Sequence, residues 1–276
     1  SIYLAPVIVG AIALLGFFVS LFHLPARMRG AGLDPMQQHT VIEQPFVIIA
    51  LMLMLIDMVV AVFYSLDALY GERRDRSVLF WKSLPVSDLT TVLAKASIPI
   101  FVLPVVVAAV TIATQLVMLV TSSIVLAASG AGASLPWIHV PFFTTAGVNL
   151  YHLVVFHGVY YAPFFGWMLL VSAWAKRAPL LWAVLPPVAI AVVEKMAFNT
   201  SYFGMTLVER FGGGSGMGSN AGSTGLGATA GGMTMEMFTP HHAVHFIFSP
   251  GMWIGIIFTA GCLLVAARVR RMRAAG

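Results

Sequence analysis

Asp57 is an acid set near the middle of the apolar run 46–70. A charged side chain at that depth in a bilayer costs about 2.5–3.5 kcal/mol on insertion scales, so it must face a bundle interior or a watery cavity, or carry a proton. In such a place it could line a pathway or take part in proton-linked transport. The plainer role is a structural carboxyl bonded to a hydroxyl or amide on a neighbouring helix, with Thr111, Thr114 and Gln115 as available partners. A second set, His241, His242 and His245, stands close to Met233, Met235 and Met237 and invites copper or zinc. A helix would put His241 and His245 on one face, but spacing fixes no third ligand. They are therefore weak metal candidates, and an interfacial segment with amphipathic side chains near lipid headgroups is the plainer explanation. His152 and His157 read as bonded core histidines.

The third set is denser. Residues 71–88, GERRDRSVLFWKSLPVSD, hold Glu72, Arg73, Arg74, Asp75, Arg76, Lys82 and Asp88 in a chain of which only 9% is charged. Long apolar runs flank this island on both sides. Its charges, its aromatics Phe80 and Trp81, and the stop at Pro85 suit a short helix that docks onto another protein. No catalytic constellation accompanies it. The chain has no G-x-x-x-x-G-K-[ST] and no Gly-Lys pair, and the glycines at 212–218 lack the strand–turn–helix context of a phosphate loop. The chain by itself is not expected to be an enzyme, and any ATP chemistry belongs to a partner. The single cysteine, Cys262, excludes an intrachain disulfide or a cysteine-based metal site.

The elements that must position these residues are membrane helices. The hydrophobic fraction is 59% and the mean hydropathy +0.93. A water-soluble domain of this length could not bury so much apolar surface. A bilayer core about 30 Å thick needs about 20 apolar residues per helical crossing, and the backbone must satisfy its own hydrogen bonds there. The expected fold is an all-α membrane protein with six transmembrane helices in one domain spanning 1–276. The spans are about 2–22, 46–70, 98–128, 150–174, 179–196 and 251–267. The first begins directly after Ser1, without a basic leader or a small-residue cleavage site, so it reads as a retained span.

Charge decides whether run 98–128 crosses once or twice. Cytoplasmic loops carry an excess of Lys and Arg. One crossing puts Arg73, Arg74, Arg76, Lys82, Lys95, Lys176, Arg177 and the C-terminal arginines inside, and leaves only Arg27, Arg29, Lys195 and Arg210 outside. Both termini are then cytoplasmic. The pI of 9.6 follows from this asymmetry, so nucleic acid is not needed as a partner. Pro99 and Pro104 should kink the third span near its start. Outside lie the polar loop 23–45, the uncharged loop 129–149 and the long loop 197–250. The middle of the last is a low-complexity Gly-rich tract that cannot build a core. Its flanks, 198–211 and 233–249, are expected to form short re-entrant or interfacial helices before the last span. Gly251 and Gly255 form a G-x-x-x-G, which suits close packing within the bundle or a dimer seam. The terminal RVRRMR serves topology and contact with membrane lipids.

Residues 64–95, YSLDALYGERRDRSVLFWKSLPVSDLTTVLAK, resemble the loop after the second span in bacterial ABC-2 type permeases. These are the membrane subunits of ATP-binding cassette transporters. The E-R-R-D-R-S…L-F-W-K-S-L-P-V-S-D run carries the likeness closely, and the six-span layout with its long final outer loop carries it loosely over the rest. The family places an amphipathic elbow helix before its first span, and this chain begins too late to show one.

The resemblance implies an exporter-type permease fold, a second permease subunit (an identical copy or a paralogue), and two cytoplasmic ABC ATPases that bind ATP and Mg. It implies a bacterial inner-membrane location. Segment 71–88 would be the cytoplasmic coupling helix, with Glu72, Arg73, Arg74, Asp75 and Arg76 as charged ATPase contacts and Phe80, Trp81 and Leu84 as apolar anchors. Two other functions fit the residues: a proton-coupled secondary transporter using Asp57, and a non-transporting membrane anchor or sensor using 71–88 as its docking site.

Overall fold

The computed structural model describes residues 2–30, 35–75, 87–130, 132–211 and 250–273, and all regular structure among them is helical. Five helices are long and apolar enough to cross a membrane: Leu4–Leu21, His39–Arg74, Asp88–Ala128, Pro179–Phe198 and Gly251–Met272. A sixth crossing is supplied if the bent pair Phe142–Tyr160 and Ala162–Trp174 is one span. Large apolar side chains stand exposed along these helices. Pro179–Phe198 shows Leu181, Leu185, Val188, Ile190 and Val193 on its surface. Water would penalise faces of that size and a bilayer would not. The described chain therefore fits a helical, multi-pass membrane protein.

Helix boundaries differ from the expected spans for local reasons. The second helix is longer than 46–70, because it begins at Pro35 and carries Pro45 inside it. Its added N-terminal stretch, MQQHTVIEQ, is polar but made mostly of residues that a helix tolerates. The third run is one unbroken rod from Asp88 to Ala128, which agrees with a single crossing. The kink expected at Pro99 and Pro104 is a widened π stretch, Ile98–Val102. Pro104 cannot donate to the carbonyl four residues back, and its ring crowds that carbonyl, so the turns open. Another π stretch, His152–Tyr160, runs up to a helix with Pro163 in its first turn. The uncharged loop 129–149 contains the helix Leu135–His139 and most of Phe142–Tyr151.

Contacts divide the chain into two units, Ser1–Val60 with Val102–His157, and Ala61–Phe101 with Gly158–Gly276. In the first unit, Leu4–Leu21 packs against Leu103–Ala128. Gly10 permits the approach, since a Cβ there would meet Val110 Cγ1 at 3.1 Å and Thr114 Oγ1 at 3.4 Å. Leu53, Val107, Met118, Leu119 and Leu153 fill the interior, each fully buried.

In the second unit, Ala162–Trp174 packs along Pro250–Arg273. Gly166 sets this crossing: a Cβ would lie 3.1 Å from Thr259 Cγ2 and 3.3 Å from Thr259 Cα. The chain then reverses through Ala178, held at φ 47°, into Pro179–Phe198 with Pro179 at the first position. A left-handed alanine costs roughly 1–2 kcal/mol. The turn is braced by Trp174 edge-on to Trp182 at 4.8 Å and by Trp167 Nε1 donating to the Ala183 carbonyl at 2.9 Å.

Candidate functional site

The charged island is built on the second unit. Ser87 caps Asp88–Ser97, its hydroxyl accepting from Thr90 N at 3.1 Å. That cap puts Asp88 in the first turn and Lys95 in the last, each at the helix end its charge favours. Seven residues apart, the two side chains lie on one face. Glu72, on Tyr70–Arg74, receives Lys95 Nζ on Oε1 at 2.9 Å and Arg270 Nη1 on Oε2 at 2.8 Å. Arg270, near the end of the last helix, also donates Nε to Asp88 Oδ1 at 3.1 Å. Two carboxylates and two cations thus balance. The Arg270 side chain is 9% exposed and Glu72 12%, so this is not a solvent-screened surface pair of little consequence. Removing one partner would strand a buried charge.

Arg73 is also used inside the chain. It donates Nη2 to the Ser172 carbonyl and, at 2.8 Å, to the Ala175 carbonyl, at the open C-terminal end of Ala162–Trp174. Arginine suits such orphan carbonyls. Ser172 Oγ in turn accepts from Leu69 N at 3.1 Å and Tyr70 N at 2.9 Å. Arg74 and Asp75 are exposed and pair with each other at 3.1 Å. The sequence-predicted contact set therefore separates. Glu72 and Arg73 face their own chain, Arg74 and Asp75 face outward, and Arg76, Phe80, Trp81 and Leu84 lie outside the described residues. Sequence reasoning missed Lys95, Ser172 and Arg270 as partners. The i, i+7 spacing of Asp88 and Lys95 was a usable signal for a shared face, whereas nothing local marks Arg270 among its neighbouring arginines.

Asp57 belongs to the first unit. It is 2% exposed, and its Oδ1 has no hydrogen-bond partner. The partners expected for it are engaged elsewhere. Thr111 donates to the Val107 carbonyl at 2.8 Å and Thr114 to the Val110 carbonyl at 2.7 Å. Gln115 Oε1 accepts from Asn149 Nδ2 at 2.9 Å. In the same unit, His39 Nδ1 lies 2.9 Å from Glu43 Oε2 and its ring stands edge-on to His139 at 5.4 Å. Burial, and then the charge of His39, hold His139 below its usual 6.5. Among the described residues, no group of three His, Cys, Asp or Glu side chains is placed to hold a metal. His241 and His245 lie outside the described residues.

Segment 198–211, a flank of the Gly-rich loop, forms the helix Tyr202–Phe211, as expected. Glu194 caps it, accepting from Tyr202 N at 2.7 Å and Phe203 N at 2.9 Å. Its far end is pinned by Arg210, whose Nη2 donates to the Gly251 carbonyl at 3.2 Å and whose guanidinium lies 5.0 Å from the Tyr160 ring centroid. Burial lowers the Arg210 pKa, against an opposing effect of Tyr160. Gly255 makes the room: a Cβ there would fall 2.0 Å from Arg210 Nη2. Of the two uses expected for the G-x-x-x-G, Gly255 serves packing within the chain. No protein-family model, curated protein or solved structure matches this chain.

Proposed function

We propose that this chain is the permease subunit of an ATP-driven transporter of the ABC-2 type, an exporter in a bacterial inner membrane. In this reading the helices make six crossings with both termini in the cytoplasm. A second permease subunit completes the membrane core, and separate ATPases bind ATP and Mg below it. The observation that carries the reading is the fixed base of the charged segment. Glu72 and Asp88, at its two ends, are tied through Arg270, while Arg73 pins the first end to the close of Ala162–Trp174. A segment meant to pass on a push needs ends that do not yield. Arg74 and Asp75, paired with each other, stay exposed where a partner could reach them, and the resemblance of 64–95 to permease loops agrees.

Purification of the chain from its native membranes in mild detergent tests this. The reading expects a co-purifying ATPase that carries a G-x-x-x-x-G-K-[ST] motif and hydrolyses ATP in the complex. A chain that transports in vesicles with no ATPase present would overturn it. That result would favour a proton-coupled carrier, for which the buried Asp57 carboxyl with its unpartnered Oδ1 is the supporting observation.

A further inference from the structure

Arg270 touches both ends of the charged segment, and no other described side chain bonds to both Glu72 and Asp88. Its two bonds leave through different nitrogens, Nη1 to Glu72 and Nε to Asp88. A guanidinium offers these donors in a fixed planar fork, whereas the three donors of a lysine radiate from a single nitrogen and hold two carboxylates less rigidly. Lys95 reaches Glu72 from the helix that Asp88 begins, so it also ties the two ends to each other, but it does not reach the last helix. Arg270 is therefore the connection from Pro250–Arg273 to both ends. That last helix packs on Asp88–Ser97 and along Ala162–Trp174, with Thr259 set against Gly166.

We infer that Arg270 is a positioning residue: a clasp that makes the two ends of segment 76–86 and the last helix move as one body. The inference rests on the reading of 71–88 as the coupling segment, to which it adds the route by which motion enters the membrane. Motion that reaches Glu72 and Asp88 enters the last helix through Arg270, beside the direct tie that Arg73 makes to the close of Ala162–Trp174.

Spin labels at Leu89→Cys and Met272→Cys, in a Cys262→Ser chain, read the tie directly by double electron–electron resonance. Both positions are exposed. The purified wild-type background should give a narrow distance distribution, and Arg270→Gln should broaden it at least twofold. Lys95→Met should leave it narrow, because the Arg270 bonds remain. Arg270→Lys keeps the charge and protects against loss of folding, and it should give an intermediate width. A narrow distribution in Arg270→Gln, or equal broadening in Lys95→Met, overturns the assignment.

A second arm uses the complex with its ATPase and follows hydrogen exchange in 250–273 on trapping with ATP and vanadate. The wild type should change. Arg270→Gln should keep the ATPase bound while losing that response by about 5-fold or more, the lower range of an inter-site coupling. A full response in Arg270→Gln contradicts the route. If no ATPase binds the wild type, the permease reading fails, and the label distances still decide whether the clasp exists.

Discussion

At the scale of single residues, Asp57 and Arg73 show what local sequence does and does not specify. The position of Asp57 in an apolar run announced a buried acid, and it is buried. Its expected partners were wrong for a reason that lies in the sequence itself. A threonine inside a helix bonds its own carbonyl one turn back, and Thr111 and Thr114 do so. Gln115 needed Asn149, 34 residues away, and no local pattern names that pair. Likewise the charge of Arg73 was plain, but its use on the Ser172 and Ala175 carbonyls required knowing where another helix ends. Asp57 has a direct consequence. A buried polar atom without a partner costs about 1–3 kcal/mol. Asp57→Leu should therefore leave thermal stability unchanged or raise it by roughly that amount, and Asp57→Asn should be close to neutral. If the carboxyl serves transport, both changes should lower turnover while the protein folds at least as well. Thermal unfolding in detergent beside a transport assay checks this. A strongly destabilised Asp57→Leu with normal transport in Asp57→Asn would leave the group a structural role only.

At the scale of elements, the existence of the helices was legible and their ends were not. Apolar run length marks a span, yet polar helix formers extend Pro35–Asp67 well beyond the apolar limit. Prolines were visible, and two helices open into π turns shortly before one. The short helix Tyr202–Phe211 was foreseen from its aromatic and apolar residues. Its anchoring was not, because Glu194 and Arg210 act on groups that are distant in sequence or set by folding. Gly255 serves packing within the chain, as its spacing suggests, but what it makes room for is the Arg210 guanidinium, against Pro163. Gly255→Ala should push Arg210 from its seat, since a Cβ would lie 2.0 Å from Nη2 and 2.9 Å from Pro163 Cγ. Hydrogen exchange should then speed up in 202–211 by several-fold and change little in 4–21. Small-to-large changes at tight contacts cost about 1–3 kcal/mol, and global unfolding should shift by no more than that. Unchanged exchange in 202–211 would mean that Arg210 does not hold this helix.

At the scale of the whole molecule, the all-helical class and the multi-pass character were readable from composition, since 59% hydrophobic residues leave few other solutions. The division into two contact units was not readable. The long helices contribute residues to both units, so no linker or change of composition marks the border. The topology proposed from charge can be checked by labelling. In a Cys262→Ser chain, Ser134→Cys and Ser223→Cys should react with a membrane-impermeant maleimide applied outside, and Ser77→Cys and Ala178→Cys should not. Outside labelling of Ala178→Cys would mean that run 98–128 crosses twice, which puts Lys176 and Arg177 outside.

The central claim is that 71–88 seats on an ATPase, and Trp81 is the residue through which to ask it. Interface energy gathers in a few aromatic and arginine anchors, and Trp81 is the largest side chain in the segment. Its replacement by the photo-reactive p-benzoylphenylalanine, followed by irradiation of native membranes and mass spectrometry of the adduct, identifies what lies against it. If 71–88 is the coupling segment, the adduct forms with a protein that carries the G-x-x-x-x-G-K-[ST] phosphate loop. Adducts confined to lipid or to this chain would contradict the coupling-segment assignment and the permease function that rests on it.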